Sequence, residues 1–316
     1  MYKLKGKKTL VIAIILAISI GLNGCAQNEE GLVAKVNGEG ITQEEYDIDF
    51  QVYKNIYEKQ LGEGALSEIG SDGKTFESSL KQDVLDKLIV EKLIIQEATK
   101  KDITVTDEEV EEKIDQLIAS FGGEDKYEEF LEKSNIPKDY FKENTKREIL
   151  IERHKGNFLE EESINEEEAE KYFNENKEDL TILKASHILV NNEEDGNKVL
   201  ERLKNGEDFS SVAVTESLDS TSAVKGGDLG YFVKGTFGLI PEFQEAAFNL
   251  EVGEISDLVK TEVGYHIIYL EDRKDTFDDL KEQIVMLLKE QGYAKHIQGL
   301  KDSAKIKTYL EIEEEK

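Results

Sequence analysis

The 316-residue sequence has no tryptophan, two prolines and one cysteine, and its basic residues are few relative to its acidic ones. A single cysteine excludes an intramolecular disulfide and a metal cluster held by cysteines. The 69 acidic residues against 40 basic ones give a net charge of −29, which repels nucleic acid and anionic lipid headgroups. We therefore expect no nucleic-acid partner.

The longest uncharged apolar run lies in the first 25 residues. Four lysines precede the thirteen uncharged residues from Leu10 to Leu22. This run is too short for a helix that crosses ~30 Å of hydrocarbon, but it suits the core of a signal peptide. It ends in Leu22-Asn23-Gly24-Cys25, which resembles the lipobox of bacterial lipoproteins. That resemblance implies cleavage before Cys25, lipidation of its sulfur and an anchor on the extracytoplasmic side of the cell membrane; an uncleaved N-terminal anchor is the alternative.

The N-terminal half of the chain after Cys25 is predicted to be helical throughout. Two stretches have the capping-box pattern, in which a threonine precedes a glutamate by three residues at the start of a helix. Apolar residues then recur at helical spacing, and the Gly- and Ser-rich segment from Gly62 to Ser79 is predicted to be a loop. Helix starts are predicted at Thr42, Thr106, Pro137 and Ser163.

From Thr181 to Arg273 the pattern changes to short β-branched and aromatic segments with glycines and helical segments between them. A long helical pattern returns after Arg273. We therefore predict an α+β fold in which a domain with a small mixed sheet and surrounding helices is inserted between segments of an all-helical domain.

Five short strings within this α+β region occur in one fixed order and resemble the successive signatures of the parvulin family of peptidyl-prolyl cis-trans isomerases. The match covers about ninety residues. The strings are Ala185-Ser-His-Ile-Leu-Val190, Gly226-Gly-Asp-Leu-Gly-Tyr231, Pro241-Glu-Phe-Gln-Glu-Ala-Ala-Phe248, Gly253-Glu-Ile-Ser256 and Gly264-Tyr-His-Ile-Ile268.

The resemblance implies a set of site residues. His187 and His266 match the family's paired histidines, and Asp219 matches its polar residue beside the reactive amide. The pocket for the proline ring matches Leu239, Phe243 and Phe248, with Phe237 as an alternative to Leu239 because the loop lengths differ here. Rotation about an X–Pro bond breaks no covalent bond, so we expect no metal and no cofactor.

Each assignment has a structural alternative. The two histidines can be hydrogen-bonded core residues of a sheet, and Asp219 can be a loop carboxylate that makes an Asx-turn. Phe243 and Phe248 are five residues apart, so they need not share a helix face and one of them can be core. His154 and His296 have no ligand-like neighbours in the sequence and are predicted to lie on the surface.

The layout as a whole resembles the foldase lipoproteins of the PrsA type. That family resemblance implies an isomerase and chaperone that assists unfolded exported proteins outside the cytoplasmic membrane, commonly as a homodimer. A catalytically weak holdase that uses the parvulin domain as a binding platform is the alternative; a transport-related binding lipoprotein and a lipid-anchored hydrolase fit the helical pattern and the residues less well. The expected domains are a signal peptide (1–24), a helical chaperone part (25–178), a parvulin domain (179–273) and a C-terminal helix packing on the N-terminal part (274–316).

Overall fold

The computed structural model describes residues 29–312 apart from 63, 72 and 237. The predicted signal peptide, the lipidation site Cys25 and the alternative pocket residue Phe237 lie outside the described residues. Within the described part, no helix combines the length and apolarity needed to cross a bilayer. The elements in chain order are β1 (Leu32–Val36), β2 (Glu39–Thr42), α1 (Gln43–Leu61), α2 (Phe76–Lys100), α3 (Asp107–Phe121), α4 (Glu124–Lys133), α5 (Lys138–Glu161), α6 (Glu166–Leu180), β3 (Ile182–Val190), α7 (Glu193–Lys204), α8 (Phe209–Glu216), α9 (Ser220–Ala223), β4 (Asp228–Val233), α10 (Pro241–Asn249), β5 (Val259–Thr261), β6 (Gly264–Lys274), α11 (Phe277–Ser303) and β7 (Ile306–Thr308).

The chain divides into two compact units. The first comprises Met1–Lys92, Leu117–Phe141 and Ala304–Lys316, as far as these are described, and the second comprises Leu93–Gln116 and Lys142–Ser303. The second unit therefore contains the whole region predicted to be α+β.

The first unit contains a small antiparallel sheet of order β2-β1-β7, so the prediction that the N-terminal half is helical throughout is wrong. Asn37 and Gly38 both have positive φ angles, 51° and 96°, and join β1 to β2 by a two-residue turn. Asn-Gly is the preferred pair for such hairpin turns because it tolerates positive φ at both positions. The third strand, β7, pairs with β1 from the other end of the chain, with Val36 opposite Ile306.

The helix starts agree with both predicted capping boxes. The Glu45 amide donates to the Thr42 hydroxyl (3.1 Å) while the Thr42 amide donates to the Glu45 carboxylate (2.8 Å). Thr106 and Glu109 make the same reciprocal pair at 3.3 and 2.8 Å. Each box satisfies backbone N–H groups that the first turn of a helix leaves without partners.

Three other helix boundaries differ from the prediction. Helix α2 begins at Phe76, within the segment predicted to be a loop. Helix α5 begins at Lys138, directly after Pro137, whose carbonyl accepts from the Phe141 amide at 3.0 Å. The cap of α6 is Asn165 rather than Ser163, because the Asn165 side chain accepts from the Glu168 amide at 2.8 Å.

The second unit contains a four-stranded sheet of order β4-β3-β6-β5 in which every pair is antiparallel. The α+β class is confirmed, but the sheet is not mixed as predicted. The long strands β3 and β6 pair along their whole length, from Ile182 opposite Lys274 to Val190 opposite Tyr265. They form the centre of the sheet and carry the two histidines.

Each face of this sheet packs against different helices. One face buries alternate residues of β3 and β6, such as Ile188 and Ile267, against α7 and α8. The opposite face packs against α10 in a cluster of mostly apolar residues. The buried members of this α10 cluster are Leu183, Ala185, Phe232, Phe243, Ala247, Leu250, Ile268 and Leu270.

The prediction that His154 and His296 lie on the surface is wrong for His154. His154 lies on α5 and is only 1% exposed, whereas the side chain of His296 on α11 is partly buried. Their shared partner, Glu97, lies on α2 and is distant in sequence from both, so no local pattern predicts the contact.

Candidate active site

The histidine pair follows directly from the pairing of β3 with β6. His187 lies opposite Ile268, and His266 lies opposite Leu189. Directly opposed residues of an antiparallel pair point to the same face, as do residues two apart on one strand. The two histidines are therefore diagonal neighbours on the face that packs against α10.

The two imidazole rings are nearly parallel, with centroids 5.4 Å apart and an interplanar angle of 21°. Their Nδ1 atoms are 3.2 Å apart, which is hydrogen-bond distance. His187 is 7% exposed and His266 is 5% exposed. Buried imidazole nitrogens need partners, and each ring has a second one: Asp219 for His187 and Thr261 for His266.

The loop that carries Asp219 is fixed to the upper part of β3. Strand β4 ends opposite Ser186, and beyond His187, whose amide donates to the Gly227 carbonyl, that edge of β3 is free of strand pairing. Leu189 uses the free edge, because its amide donates to the Ser217 hydroxyl (3.1 Å) and its carbonyl accepts from the Leu218 amide (2.8 Å). Asp219 then caps the short helix α9 directly above His187.

The two oxygens of Asp219 have different partners. Oδ1 accepts from the Thr221 amide at 3.1 Å, which is the Asx-turn weighed as the structural alternative. Oδ2 lies 2.8 Å from Nε2 of His187 and accepts from the Ser222 hydroxyl at 2.5 Å. Burial alone would raise the pKa of Asp219, but hydrogen bonds with Ser222, His187 and the Thr221 amide outweigh it and lower the pKa. The carboxylate is therefore ionised at neutral pH while it also forms the turn.

The direction of the hydrogen bonds follows from the tautomers that we assign to the two rings. Burial, followed by the charge of His187, lowers the pKa of His266 to about 4 against the opposing effect of Asp219. His266 is thus neutral at physiological pH and carries one N–H. With Asp219 as acceptor for His187 Nε2–H, the Nδ1–H of His266 donates to His187, and the Thr261 hydroxyl donates to His266 Nε2 at 3.0 Å. Every donor in this assigned chain points towards the Asp219 carboxylate.

Phe243 supports both histidines from α10. Its ring makes edge contacts with His187 (centroids 5.7 Å, 87°) and His266 (5.5 Å, 74°). Phe243 is only 2% exposed, so it forms the floor under the two rings. Leu239 and Phe248 pack against the same α10 cluster as partly buried residues.

The structure does not bring Phe248 to the histidines in the part of the chain that it describes. Its ring contacts Phe232 (centroids 6.3 Å), and its side chain lines a cavity of 1100 Å³ with residues of α6 and β6, including Asn176 and Arg273. His187, Asp219, His266 and Phe243 form one connected group, whereas Phe248 is at the other end of α10.

Gly227 allows the chain to pass close to His187. Its φ is +88°, and a Cβ atom there would lie 2.4 Å from the carbonyl oxygen of His187. The Gly227 carbonyl accepts from the His187 amide at 2.9 Å. A side chain would meet both a left-handed backbone and a clash, so this position requires glycine.

Ser222 and Thr261 belong to the site but were not predicted. Ser222 follows Asp219 by three residues, a spacing at which a hydroxyl in the first turn can reach the capping carboxylate. Thr261 precedes Gly264 across the β5–β6 turn, and Val259 opposite His266 places Thr261 on the same sheet face. The sequence Thr261-Glu-Val-Gly264 has the spacing of a hairpin turn, and this turn could have predicted that Thr261 lies close to His266.

Two family models match this chain. The model of the SurA-like N-terminal domain matches residues 3–155, and that of the PPIC-type PPIase domain matches residues 170–274. The second match contains His187, Asp219, Phe243 and His266.

Curated relatives match most of the chain. A foldase protein PrsA from Caldanaerobacter subterraneus subsp. tengcongensis is 37% identical over 287 residues, which are 89% of this chain and 88% of that relative. A foldase protein PrsA from Clostridium botulinum (strain 657 / Type Ba4) is 33% identical over 294 residues, 88% of each chain. Among solved structures, the peptidylprolyl isomerase (PrsA) from Bacillus anthracis is 30% identical and covers 68% of this chain and 94% of its own, with a TM-score of 0.33. That score is too low to establish a common overall arrangement.

Proposed function

This chain belongs to the PrsA foldase family and is a peptidyl-prolyl cis-trans isomerase and chaperone, and from that premise we propose how its residues perform the reaction. The family resemblance inferred from the five motifs is confirmed. The observation that carries the proposal is the hydrogen-bonded line Thr261–His266–His187–Asp219 above Phe243. The residue roles below rest on this geometry.

The reaction requires the loss of amide resonance. A planar X–Pro amide has a barrier of ~18–20 kcal/mol because rotation breaks the partial double bond. In the twisted state the carbonyl oxygen carries less negative charge than in the planar state. A site that disfavours the planar charge distribution more than the twisted one lowers the barrier without any covalent chemistry.

We assign that electrostatic role to Asp219. Its side chain is 28% exposed, so a substrate can approach it, and its lowered pKa keeps it negative. A carboxylate beside the substrate carbonyl repels the partial charge of the planar oxygen more than that of the twisted one. The histidines are positioning residues, because their chain of donors holds the Oδ2 atom of Asp219 in place.

Apolar groups beside this line bind the proline ring. Leu239 is partly buried over the α10 cluster, and Phe243 is the floor of that cluster next to the histidines. Leu218 and Val263 are exposed apolar residues next to Asp219 and in the turn after Thr261. They provide contacts for the residues that flank proline. Phe237, which lies outside the described residues, remains a proposed alternative to Leu239, whereas Phe248 at the other end of α10 is not assigned to the pocket.

The test compares two aspartates that occupy similar positions. Residues 26–316 are purified, and cis/trans exchange of a set of X–Pro peptides is measured by NMR for the wild type, Asp219→Asn and Asp208→Asn. Both aspartates are N-caps of short helices: Asp208 accepts from the Ser211 amide and Asp219 from the Thr221 amide. Of the two, only Asp219 contacts a histidine. We expect Asp219→Asn to lower the catalysed rate on the order of 100-fold, as for loss of one electrostatic group, and Asp208→Asn to leave it near wild type.

The outcomes separate the enzyme from the holdase. Equal rates in the wild type and Asp219→Asn would refute the role of Asp219. If the wild type does not accelerate exchange yet prevents aggregation of an unfolded client, the chain acts as a holdase and the parvulin domain is a binding platform.

We further propose that the chain acts on unfolded exported proteins while anchored at the membrane through Cys25. The lipobox Leu22-Asn23-Gly24-Cys25 supports the anchor, and the family supports the clients. Mass spectrometry of the N-terminal peptide of membrane-derived protein should find an acylated cysteine, and Cys25→Ala should release the protein from the membrane. An unmodified Cys25 would contradict the anchor. The domain boundaries at 24, 178 and 273 and the homodimer are part of this proposal, testable by limited proteolysis and light scattering.

A cavity of the first unit suits such clients. It has a volume of 910 Å³ between α1, α4 and the start of α5, and it combines apolar Ile48, Leu131 and Ile136 with acidic Glu44 and Glu128. Unfolded chains expose apolar side chains, and acidic walls favour those with basic neighbours. We expect Ile48→Glu to weaken the suppression of aggregation while X–Pro isomerisation of short peptides continues unchanged.

A further inference from the structure

Segments of three helices that lie in the second unit bring two histidines and a glutamate together. Glu97 lies on α2, His154 on α5 and His296 on α11. The Oε2 atom of Glu97 is 2.7 Å from Nε2 of His296 and 3.3 Å from Nε2 of His154. One donor atom from each of the three side chains lies within 4.8 Å of the other two.

His154 is held with its free nitrogen towards this cluster. Its Nδ1 atom is 3.2 Å from the Tyr293 hydroxyl, whereas Nε2 is buried and has no hydrogen-bond partner among the described residues. The 3.3 Å approach to Glu97 therefore lacks hydrogen-bond geometry. With Nδ1–H donating to Tyr293, the Nε2 lone pair points at the cluster, which is the tautomer that a metal ion requires.

The two oxygens of Glu97 have different partners. Lys101 lies 3.2 Å from Oε1, and this salt bridge leaves Oε2 facing the two histidines.

We propose that Glu97, His154 and His296 form a divalent transition-metal site, with zinc as its preferred ion, that ties α2, α5 and α11 together. Two imidazoles and one carboxylate are a common zinc donor set, and a solvent molecule completes the tetrahedron. Tetrahedral zinc with bonds of ~2.0–2.1 Å places its donor atoms ~3.4 Å apart. The donor atoms here lie within 4.8 Å of one another, so the widest pair closes by up to about 1.4 Å, while the Glu97–His296 pair opens from 2.7 Å. Oε2 binds the ion, while Oε1 stays with Lys101.

The proposal predicts zinc binding by the full chain in non-ionic detergent, purified without a polyhistidine tag and with Cys25→Ser to remove the thiol. Zinc titration against a chromophoric chelator should show one site per chain. Cobalt at the same site should give the strong visible absorption of tetrahedral coordination. Saturating zinc should raise the melting temperature by about 5 °C, because an ion that binds only the folded chain stabilises it.

Variants locate the site. His296→Gln and Glu97→Gln should each weaken zinc binding by at least about 10-fold to 100-fold, the range for losing even an outer hydrogen-bond partner of a ligand. Tyr293→Phe should cause a smaller loss because it removes only the partner of His154 Nδ1. Glu282→Gln makes the same charge change at an exposed position of α11 and should leave affinity unchanged.

Three outcomes would overturn the proposal. The first is that zinc does not bind, which would leave the cluster as a hydrogen-bonded pair of Glu97 and His296. The second is that His296→Gln and Glu97→Gln leave the affinity unchanged. The third is that Asp219→Asn abolishes binding, which would move the ion to the proposed isomerase site.

Discussion

His266 is a buried histidine whose protonation should destabilise the folded chain. Burial and the charge of His187 lower its pKa to about 4, while an unfolded histidine has a pKa near ~6.5. Between these pH values the unfolded chain therefore binds more protons at this residue than the folded chain does. A group with a lowered folded-state pKa gives stability that is complete above its unfolded pKa and is lost as the pH falls through the folded pKa.

The size of the effect follows from the shift. Each pKa unit corresponds to ~1.4 kcal/mol, so the interval from ~6.5 to about 4 amounts to roughly 3 kcal/mol of unfolding free energy lost by pH 4. His266 is 5% exposed, so solvent screening reduces this value little. Since native domains have stabilities of only ~5–15 kcal/mol, the loss is readily measured.

The assay combines histidine NMR with denaturation. Ring resonances of His266, assigned with the variant His266→Leu, should titrate near pH 4. Urea unfolding of the wild type and His266→Leu is then compared from pH 7.5 to 4. At pH 7 the variant should be less stable by ~1–3 kcal/mol, because it leaves His187 and Thr261 without their partner. As the pH falls the difference should shrink by roughly 3 kcal/mol, since only the wild type has this group to protonate.

The many carboxylates titrate in both proteins, so their effect cancels in the difference. A stability difference that does not change with pH, or a His266 resonance that titrates near 6.5, would refute the lowered pKa of His266.

Three further perturbations test the architecture around the site. Gly227→Ala should destabilise the second unit by at least ~2 kcal/mol in denaturant titrations, because its Cβ would lie 2.4 Å from the His187 carbonyl oxygen at a φ of +88°; full stability would show that the loop adapts. Thr261→Val keeps the side-chain volume and should lower the unfolding free energy by ~1 kcal/mol because the hydrogen bond to His266 is lost. The variant should also change the tautomer of the His266 ring and therefore its ¹⁵N chemical shifts; unchanged shifts would contradict Thr261 as the donor. A stop after Ser303 removes β7 and should increase hydrogen exchange at the amides of β1, with the amides of β3 as the unaffected internal control.

Sequence patterns predicted the parts of this fold that depend on neighbouring residues. The capping boxes at Thr42 and Thr106 involve residues three apart, and the five motifs placed His187, Asp219 and His266 in one family site. The hairpin of β1 and β2 was missed although its Asn37-Gly38 turn is a strong local signal, because the apolar run before it is only five residues long.

Contacts between distant segments could not be predicted in this way. Strand β7 has three residues and is defined by its pairing with β1, at the opposite end of the sequence. Glu97, His154 and His296 come from three helices, and the periodicity of each helix predicts which face is buried but not which faces meet. A single histidine on a helix therefore does not indicate that it contacts residues of two other helices.

The proposed isomerase site differs from both cases because the family resemblance indicated the histidine pair and Asp219 but not their partners Ser222 and Thr261. Amide rotation makes and breaks no covalent bond, so catalysis depends on residues that hold a charge in place and exclude water. In the sequence, such residues look the same as ordinary core residues of a sheet. We propose that the order of the donors distinguishes the two. In the assigned tautomers, Thr261, His266 and His187 all donate towards one carboxylate that remains partly exposed, which would make buried, fully paired polar groups a rigid support for a charge at the surface. A histidine pair that served the core alone would need partners but no common direction, and it would not need to end at a residue that a substrate can reach.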